Sequence, residues 1–97
     1  MVRWSDQAKA DLKAIHDYIA RDSTHYAKQV TRELVDKADG LAELPRIGRV
    51  VPELGDENVR EIPAYSYRVL CEIKTGDAIV VLAVIHKRRD LSPDEVL

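Results

Sequence analysis

Three residues in the second half of the chain could together support cleavage of a phosphodiester bond. Glu53 lies in a loop, Arg68 in a strand-like run and His86 at the end of another. A carboxylate or an imidazole can move protons, while a guanidinium can neutralise the scissile phosphate. If Arg68 and His86 meet on the uncovered face of one sheet, these three side chains form a ribonuclease-type site.

The same region also predicts a cationic surface that binds an anionic partner without catalysis. Its candidate residues lie in or directly after strand-like runs: Arg60, Arg68, Lys87, Arg88 and Arg89. Each side chain also has a structural interpretation. Arg68 can form a cross-strand ion pair with Glu61 or Glu72, and a histidine at a strand end is often only hydrogen-bonded.

Composition limits the classes of function. The chain has 97 residues and a net charge of −2, with no basic excess of the kind that binding to many phosphates requires. The single cysteine, Cys71, excludes an internal disulfide and reads as a buried, inert thiol. Neither a metal-ligand spacing nor a nucleotide-binding motif occurs, so we expect no cofactor and no metal.

The first 45 residues predict two helices joined by a short connection, and therefore an antiparallel hairpin. Ser5 and Ser23 can cap their N-termini. Apolar residues recur on one face of each helix: Ala8, Leu12, Ile15 and Ile19 in the first, and Ala27, Val30, Leu34, Ala38 and Leu41 in the second. The second helix must end by Leu44, because Pro45 disfavours helical geometry in the residue before it.

The second half predicts an antiparallel meander. We expect strands at 59–62, 67–73 and 78–88, a corner at 63–64 and a tight turn at 74–77, where Gly76 can adopt a positive φ. Short extended segments at 2–4 and 49–51 can join the same sheet. The apolar run 78–85 predicts a strand with neighbours on both sides.

Alternation along a strand predicts which side chains share a face. In the strand 67–73, Tyr67, Val69, Cys71 and Ile73 should face the helices. In the last strand, one face should carry Val80, Leu82, Val84, His86 and Arg88. The whole chain then forms an α+β fold, with an N-terminal antiparallel helix hairpin packed on a twisted, mainly antiparallel sheet. We expect one domain at 1–90, a mobile tail at 91–97 and a cytoplasmic location without membrane contact.

Several short segments, taken in order, resemble the RelE/ParE superfamily of bacterial toxins from type II toxin–antitoxin systems. They are Trp4-Ser5, Asp11-Leu12, Tyr18-Ile19-Ala20, Leu44-Pro45, Gly48-Arg49, Pro52-Glu53-Leu54, Val59-Arg60-Glu61-Ile62, Tyr67-Arg68-Val69 and Val84-Ile85-His86. The resemblance covers nearly the whole chain. It implies the fold outlined above and a cognate antitoxin that forms a hetero-oligomer with the toxin and covers its apolar and cationic sheet face.

The resemblance implies two alternative targets. RelE-like members cut mRNA on the ribosome, and Glu53, Arg68 and His86 match the carboxylate, arginine and histidine positions of ribonuclease members. ParE-like members, associated with plasmid stabilisation, inhibit DNA gyrase. Lys87 stands where those ribonucleases have an aromatic residue, and the segment 46–49 lacks the lysine-rich loop of RelE. These differences favour a ParE-like gyrase inhibitor with a mobile tail that contributes to target contact. The alternatives are a RelE-like endoribonuclease and a degenerate toxin that only binds antitoxin.

Overall fold

Two helices cover one face of a five-stranded sheet in the computed structural model, which describes residues 2–88. The elements are β1 (Val2–Trp4), α1 (Asp6–Ala20), α2 (Thr24–Gly40), β2 (Arg49–Val50), β3 (Val59–Ala64), β4 (Tyr67–Ile73) and β5 (Ile79–His86). The sheet order is β1-β5-β4-β3-β2. β1 runs parallel to β5, and the remaining pairs are antiparallel. The predicted α+β fold is confirmed, while the predicted tail at 91–97 lies outside the described residues.

Both helices begin where their sequences predict. The Ser5 and Ser23 hydroxyls each accept a backbone N–H bond at 3.0 Å, from Ala8 and Tyr26 respectively. The apolar stripes of the two helices pack with the helix-facing residues of β4 and β5 in the main core. Within residues 2–88, neither helix is long and apolar enough to cross a membrane.

A bulge in β5 changes which side chains face the helices. Leu70 pairs with Ala83 but Cys71 pairs with Val81, so Leu82 is an extra residue in β5. Before the bulge Val81 lies in the helix-facing core, and after it Val84 does so. The predicted common face of Val80, Leu82, Val84, His86 and Arg88 is therefore wrong.

Side chains from α1 hold the edge of β5 at this bulge. β1 ends at Trp4, beside Val81, so the outer edge of β5 has no neighbouring strand from residues 2–88 beyond that point. There the Ser5 hydroxyl donates to the Leu82 carbonyl, and an Asp11 carboxylate oxygen accepts from the Val84 N–H, both at 3.0 Å. These side chains supply the hydrogen bonds that a longer β1 would have made.

Two strand ends differ from the sequence prediction. β3 continues through Pro63 because β2 pairs only with the segment 60–61, which leaves Pro63 at a sheet edge where its missing N–H is tolerated. The turn therefore lies at Tyr65 and Ser66. β5 ends at His86, since its last partner is the first residue of β4, and the Lys87 N–H donates to the Ser66 carbonyl at 2.8 Å in a turn.

The sheet face opposite the helices carries a second, smaller core. Its buried members are Val51, Val59, Leu70, Ala83 and Ile85, with Leu54 and Leu82 packed against them. The chain after β2 turns tightly, because the Val51 carbonyl accepts from the N–H groups of both Leu54 and Gly55. This turn covers part of the face that the sequence predicted to be uncovered, and it carries Glu53 over the sheet.

Candidate functional site

Arg68 is at the centre of a buried charge cluster on the sheet face opposite the helices. It is 7% exposed, although it carries a full positive charge. Its two terminal nitrogens donate to the two oxygens of Glu53 at 3.1 and 2.7 Å, and one of them also donates to Glu61 at 2.9 Å. A bidentate arginine–carboxylate pair of this kind fixes the orientation of both groups.

Glu61 is shared between two arginines. It is 2% exposed, and its second oxygen accepts a hydrogen bond from the Arg49 Nε atom. The cluster therefore balances two guanidinium groups against two carboxylates. Hydrogen bonding of the Arg68 guanidinium to the Glu53 carboxylate raises the pKa of Arg68 above its usual value, so Arg68 stays charged at any physiological pH.

A cleft of about 520 Å³ opens above this cluster. Arg68 and Glu61 form its floor, and its rim carries the exposed cations Arg49, Lys87 and Arg88. Arg49 is already paired with Glu61 and belongs to the balanced cluster, whereas Lys87 and Arg88 add positive charge at the exposed rim. The cleft can therefore attract carboxylates or phosphates through its rim.

The structure separates His86 from Arg68. Tyr67 pairs with His86, and their rings are in edge-to-face contact at 6.1 Å on the helix side of the sheet. Arg68 pairs with Ile85, which belongs to the core on the opposite face. The expectation that Arg68 and His86 share one face is wrong, because the bulge at Leu82 inverts the alternation of β5.

The remaining predicted site residues also lie on different faces of the sheet. Glu53 meets Arg68, and Lys87 and Arg88 lie on the same cleft. Arg60 pairs with Cys71 on the helix side, and its guanidinium donates to the carbonyls of Glu57 and Gly48 at 2.8 and 3.2 Å. Arg89 lies outside the described residues.

Sequence reasoning missed Arg49 as part of the site. Arg49 pairs directly with Glu61 across β2 and β3, so the two side chains share a face. Gly48 makes this pairing possible, since a Cβ atom at that position would lie 2.8 Å from the Glu61 carbonyl oxygen. The available signal was the Gly48-Arg49 dipeptide at the start of a two-residue strand, but its meaning depends on the strand register.

Metal binding and thiol chemistry can each be compared with the side chains of residues 2–88. Within residues 2–88, no group of three or more His, Cys, Asp and Glu side chains is placed to hold a metal ion. The Cys71 thiol is 1% exposed, and burial raises its pKa to about 12, so it is no nucleophile at neutral pH. The accessible functional groups of the cleft are its rim cations.

Two solved toxin–antitoxin systems share this fold of a two-helix hairpin on a five-stranded mixed sheet. The chromosomal ParDE system from P. aeruginosa superposes with a TM-score of 0.72 at 23% identity, covering 88% of this chain and 92% of that one. The RelBE2 complex from Mycobacterium tuberculosis gives 0.66 at 21% identity, covering 89% and 95%.

Sequence comparison makes the family assignment. Residues 2–91 match the family described as the ParE toxin of the type II toxin–antitoxin system parDE. Toxin RelE2 of Caulobacter vibrioides is 40% identical over 70 residues, which span 69% of this chain and 75% of that protein. The chain belongs to the ParE toxin family of type II toxin–antitoxin systems.

Proposed function

We propose that this toxin inhibits DNA gyrase by binding to it and is neutralised by a cognate antitoxin. The separation of Arg68 from His86 carries the proposal. A ribonuclease needs its proton-transfer groups and its phosphate-binding cation around one phosphate. Here the imidazole lies across the sheet from the guanidinium, and the guanidinium is held by two carboxylates.

The rim of the cleft supports a binding role. Lys87 and Arg88 offer two exposed cations beside the Glu61-paired Arg49, on one side of a chain whose net charge is −2. Such a local patch suits contact with carboxylates of gyrase or with phosphates of the DNA that gyrase holds. The composition, with 15 Lys and Arg against 17 Asp and Glu, has no basic excess of the kind that favours docking on ribosomal RNA.

The relatives carry names from both subgroups, ParE and RelE, so a functional test has to separate the two mechanisms. We expect His86→Ala to keep its growth inhibition in cells that lack antitoxin. The double variant Arg88→Glu/Arg89→Glu should lose growth inhibition, because it reverses charges in the proposed target-binding set. Both variants should keep cooperative thermal unfolding, since His86 and Arg88 are exposed.

If the protein is instead a ribonuclease, His86→Ala should lose its growth inhibition. Removal of a catalytic acid or base typically costs on the order of a hundredfold or more in rate. A loss of that size in His86→Ala, with mRNA fragments appearing only in the wild type, would establish RelE-like cleavage. Undiminished toxicity of the Arg88→Glu/Arg89→Glu variant would show that these two cations are not needed for target binding.

A further inference from the structure

All four tyrosines of the chain lie at one end of the helix–sheet interface. Tyr18 is in the last turn of α1, Tyr26 in the first turn of α2, Tyr65 in the β3–β4 turn and Tyr67 at the start of β4. The rings of Tyr26 and Tyr65 are edge to face at 6.3 Å. Tyr18 and Tyr26 also lie near Tyr67. Burial is the largest cause that raises the pKa of Tyr67, and electrostatic interaction with Tyr18 and Tyr26 adds to it. We call these four residues the tyrosine pole.

The tyrosine pole is unusually exposed. Its members Tyr18, Tyr26 and Tyr65 are 67%, 45% and 40% exposed. Within residues 2–88, only two other large apolar side chains are comparably exposed, Leu44 and Ile47, and they lie in the α2–β2 loop. The pole is thus the largest grouping of exposed large hydrophobic side chains in the described part of the chain. Aromatic groupings of this kind act as anchors at protein interfaces.

The backbone at Tyr65 gives a second, independent observation. Ala64 pairs with Tyr67, so the hairpin loop consists only of Tyr65 and Ser66. Tyr65 has a φ of 55°, in the left-handed region that such loops normally fill with glycine, asparagine or aspartate. A tyrosine there costs conformational energy that a glycine would avoid. Strain of this kind often marks a functional position.

The charges around the pole indicate the chemistry of the partner. The Arg21 guanidinium lies 5.8 Å from the Tyr18 ring centre. Glu33 places a carboxylate beside Tyr65. Burial is the larger cause that raises the pKa of Tyr65, and the hydrogen bond to Glu33 is the next. An aromatic surface with one cation, Arg21, and one carboxylate, Glu33, at its rim suits a protein segment better than a polyanion.

We propose that the tyrosine pole is a docking site for an antitoxin segment that carries apolar side chains and carboxylates, with Tyr65 as its central anchor. A type II toxin must form a stable complex with its antitoxin, and stable interfaces need an apolar centre. Within residues 2–88, the sheet face opposite the helices shows no exposed large apolar side chain, because its apolar cluster is buried and packed with Val51 and Leu54. The inference rests on membership of the toxin family and not on the identity of the target.

The test measures the affinity of the antitoxin for variants of the toxin. Tyr65→Gly and Tyr65→Asn both fit a positive φ and remove the ring. Ile47→Ala is the matched control, because it removes a comparably exposed apolar side chain elsewhere. We expect the dissociation constant to rise about tenfold or more for both Tyr65 variants and to stay within about twofold for the control. Thermal unfolding of each free variant, followed by circular dichroism, checks that the fold is retained.

Two outcomes would overturn the inference. One is wild-type antitoxin affinity in both folded Tyr65 variants. The other is retained antitoxin affinity with lost growth inhibition, which would assign the tyrosine pole to the target instead. The antitoxin affinity is measured without gyrase, so a failure here is distinguishable from a failure of the proposed gyrase mechanism.

Discussion

Replacement of Arg68 by methionine should reveal how much of the stability of the fold depends on the buried charge cluster. Methionine keeps most of the aliphatic volume but removes three charge-assisted hydrogen bonds, two to Glu53 and one to Glu61. Glu53 is 19% exposed and can turn towards water, whereas Glu61 is 2% exposed and cannot. In the variant, the buried Glu61 carboxylate therefore keeps Arg49 as its remaining partner among the described contacts.

The size of the effect follows from this geometry. Breaking a buried ion pair by removing one partner costs about 3–5 kcal/mol. Because Glu61 keeps Arg49 and Glu53 can be rehydrated, we expect the lower end, about 3 kcal/mol. A domain of this size has a total stability of roughly 5–15 kcal/mol. The melting temperature should therefore fall by about 12–24 °C.

Urea denaturation and thermal unfolding of the free toxin measure this loss, and the network supplies its own control. Arg49→Met removes the other guanidinium from Glu61, but Arg49 is 69% exposed, so the loss should be about 1 kcal/mol or less. The double variant Arg68→Met/Glu61→Gln should be less destabilised than the sum of the single variants, because it removes the stranded charge. A cost below about 0.5 kcal/mol for Arg68→Met, or equal costs at Arg49 and Arg68, would refute a structural role for the cluster.

Two further predictions concern other buried contacts. Asp11→Ala should lower the free energy of unfolding in urea by about 1–3 kcal/mol, because the Val84 N–H loses its acceptor. Asp11→Asn keeps an acceptor and should cost clearly less. Equal losses in the two variants would contradict the role of Asp11 in holding the edge of β5. Burial raises the pKa of Cys71 from 9.0 to about 12, so the contribution of the neutral thiol to stability is intact below pH 9 and is lost as the pH rises towards 12. Between pH 8 and 11 the wild type should therefore lose about 2–3 kcal/mol more than Cys71→Ala, and parallel pH profiles would show that the thiol is not buried in this way.

The elements could be predicted because their signals are local. Ser5 and Ser23 cap helices through bonds to residues three positions along the chain, and the apolar stripes repeat at helical spacing. Gly76 adopts a φ of 71° in the turn between β4 and β5, as its residue type predicts. Each of these features is set by a short segment of sequence.

The site was harder to predict because it depends on contacts between distant segments. The bulge at Leu82 is held by Ser5, 77 positions earlier in the chain, and by Asp11 through Val84, 73 positions apart. No pattern within β5 reveals this extra residue, yet it moves His86 to the face opposite Arg68. Period-two alternation is reliable only as far as the next bulge.

The charge cluster illustrates the same dependence on register. A cross-strand ion pair between Arg68 and Glu61 was among the predicted interpretations, and the structure confirms it. The bidentate contact with Glu53 also needs the turn after Val51 to fold back over the sheet. Only the assembled sheet shows that Arg68 is held by carboxylates on both sides.

Supercoiling by purified DNA gyrase in the presence of the purified toxin tests the central claim most directly. We expect the toxin to stop supercoiling and to accumulate cleaved DNA, and added antitoxin to reverse both effects. The same toxin should leave mRNA intact on translating ribosomes. Undisturbed supercoiling together with codon-linked cuts in mRNA would contradict the account and would return Glu53, Arg68 and His86 to consideration as a catalytic site.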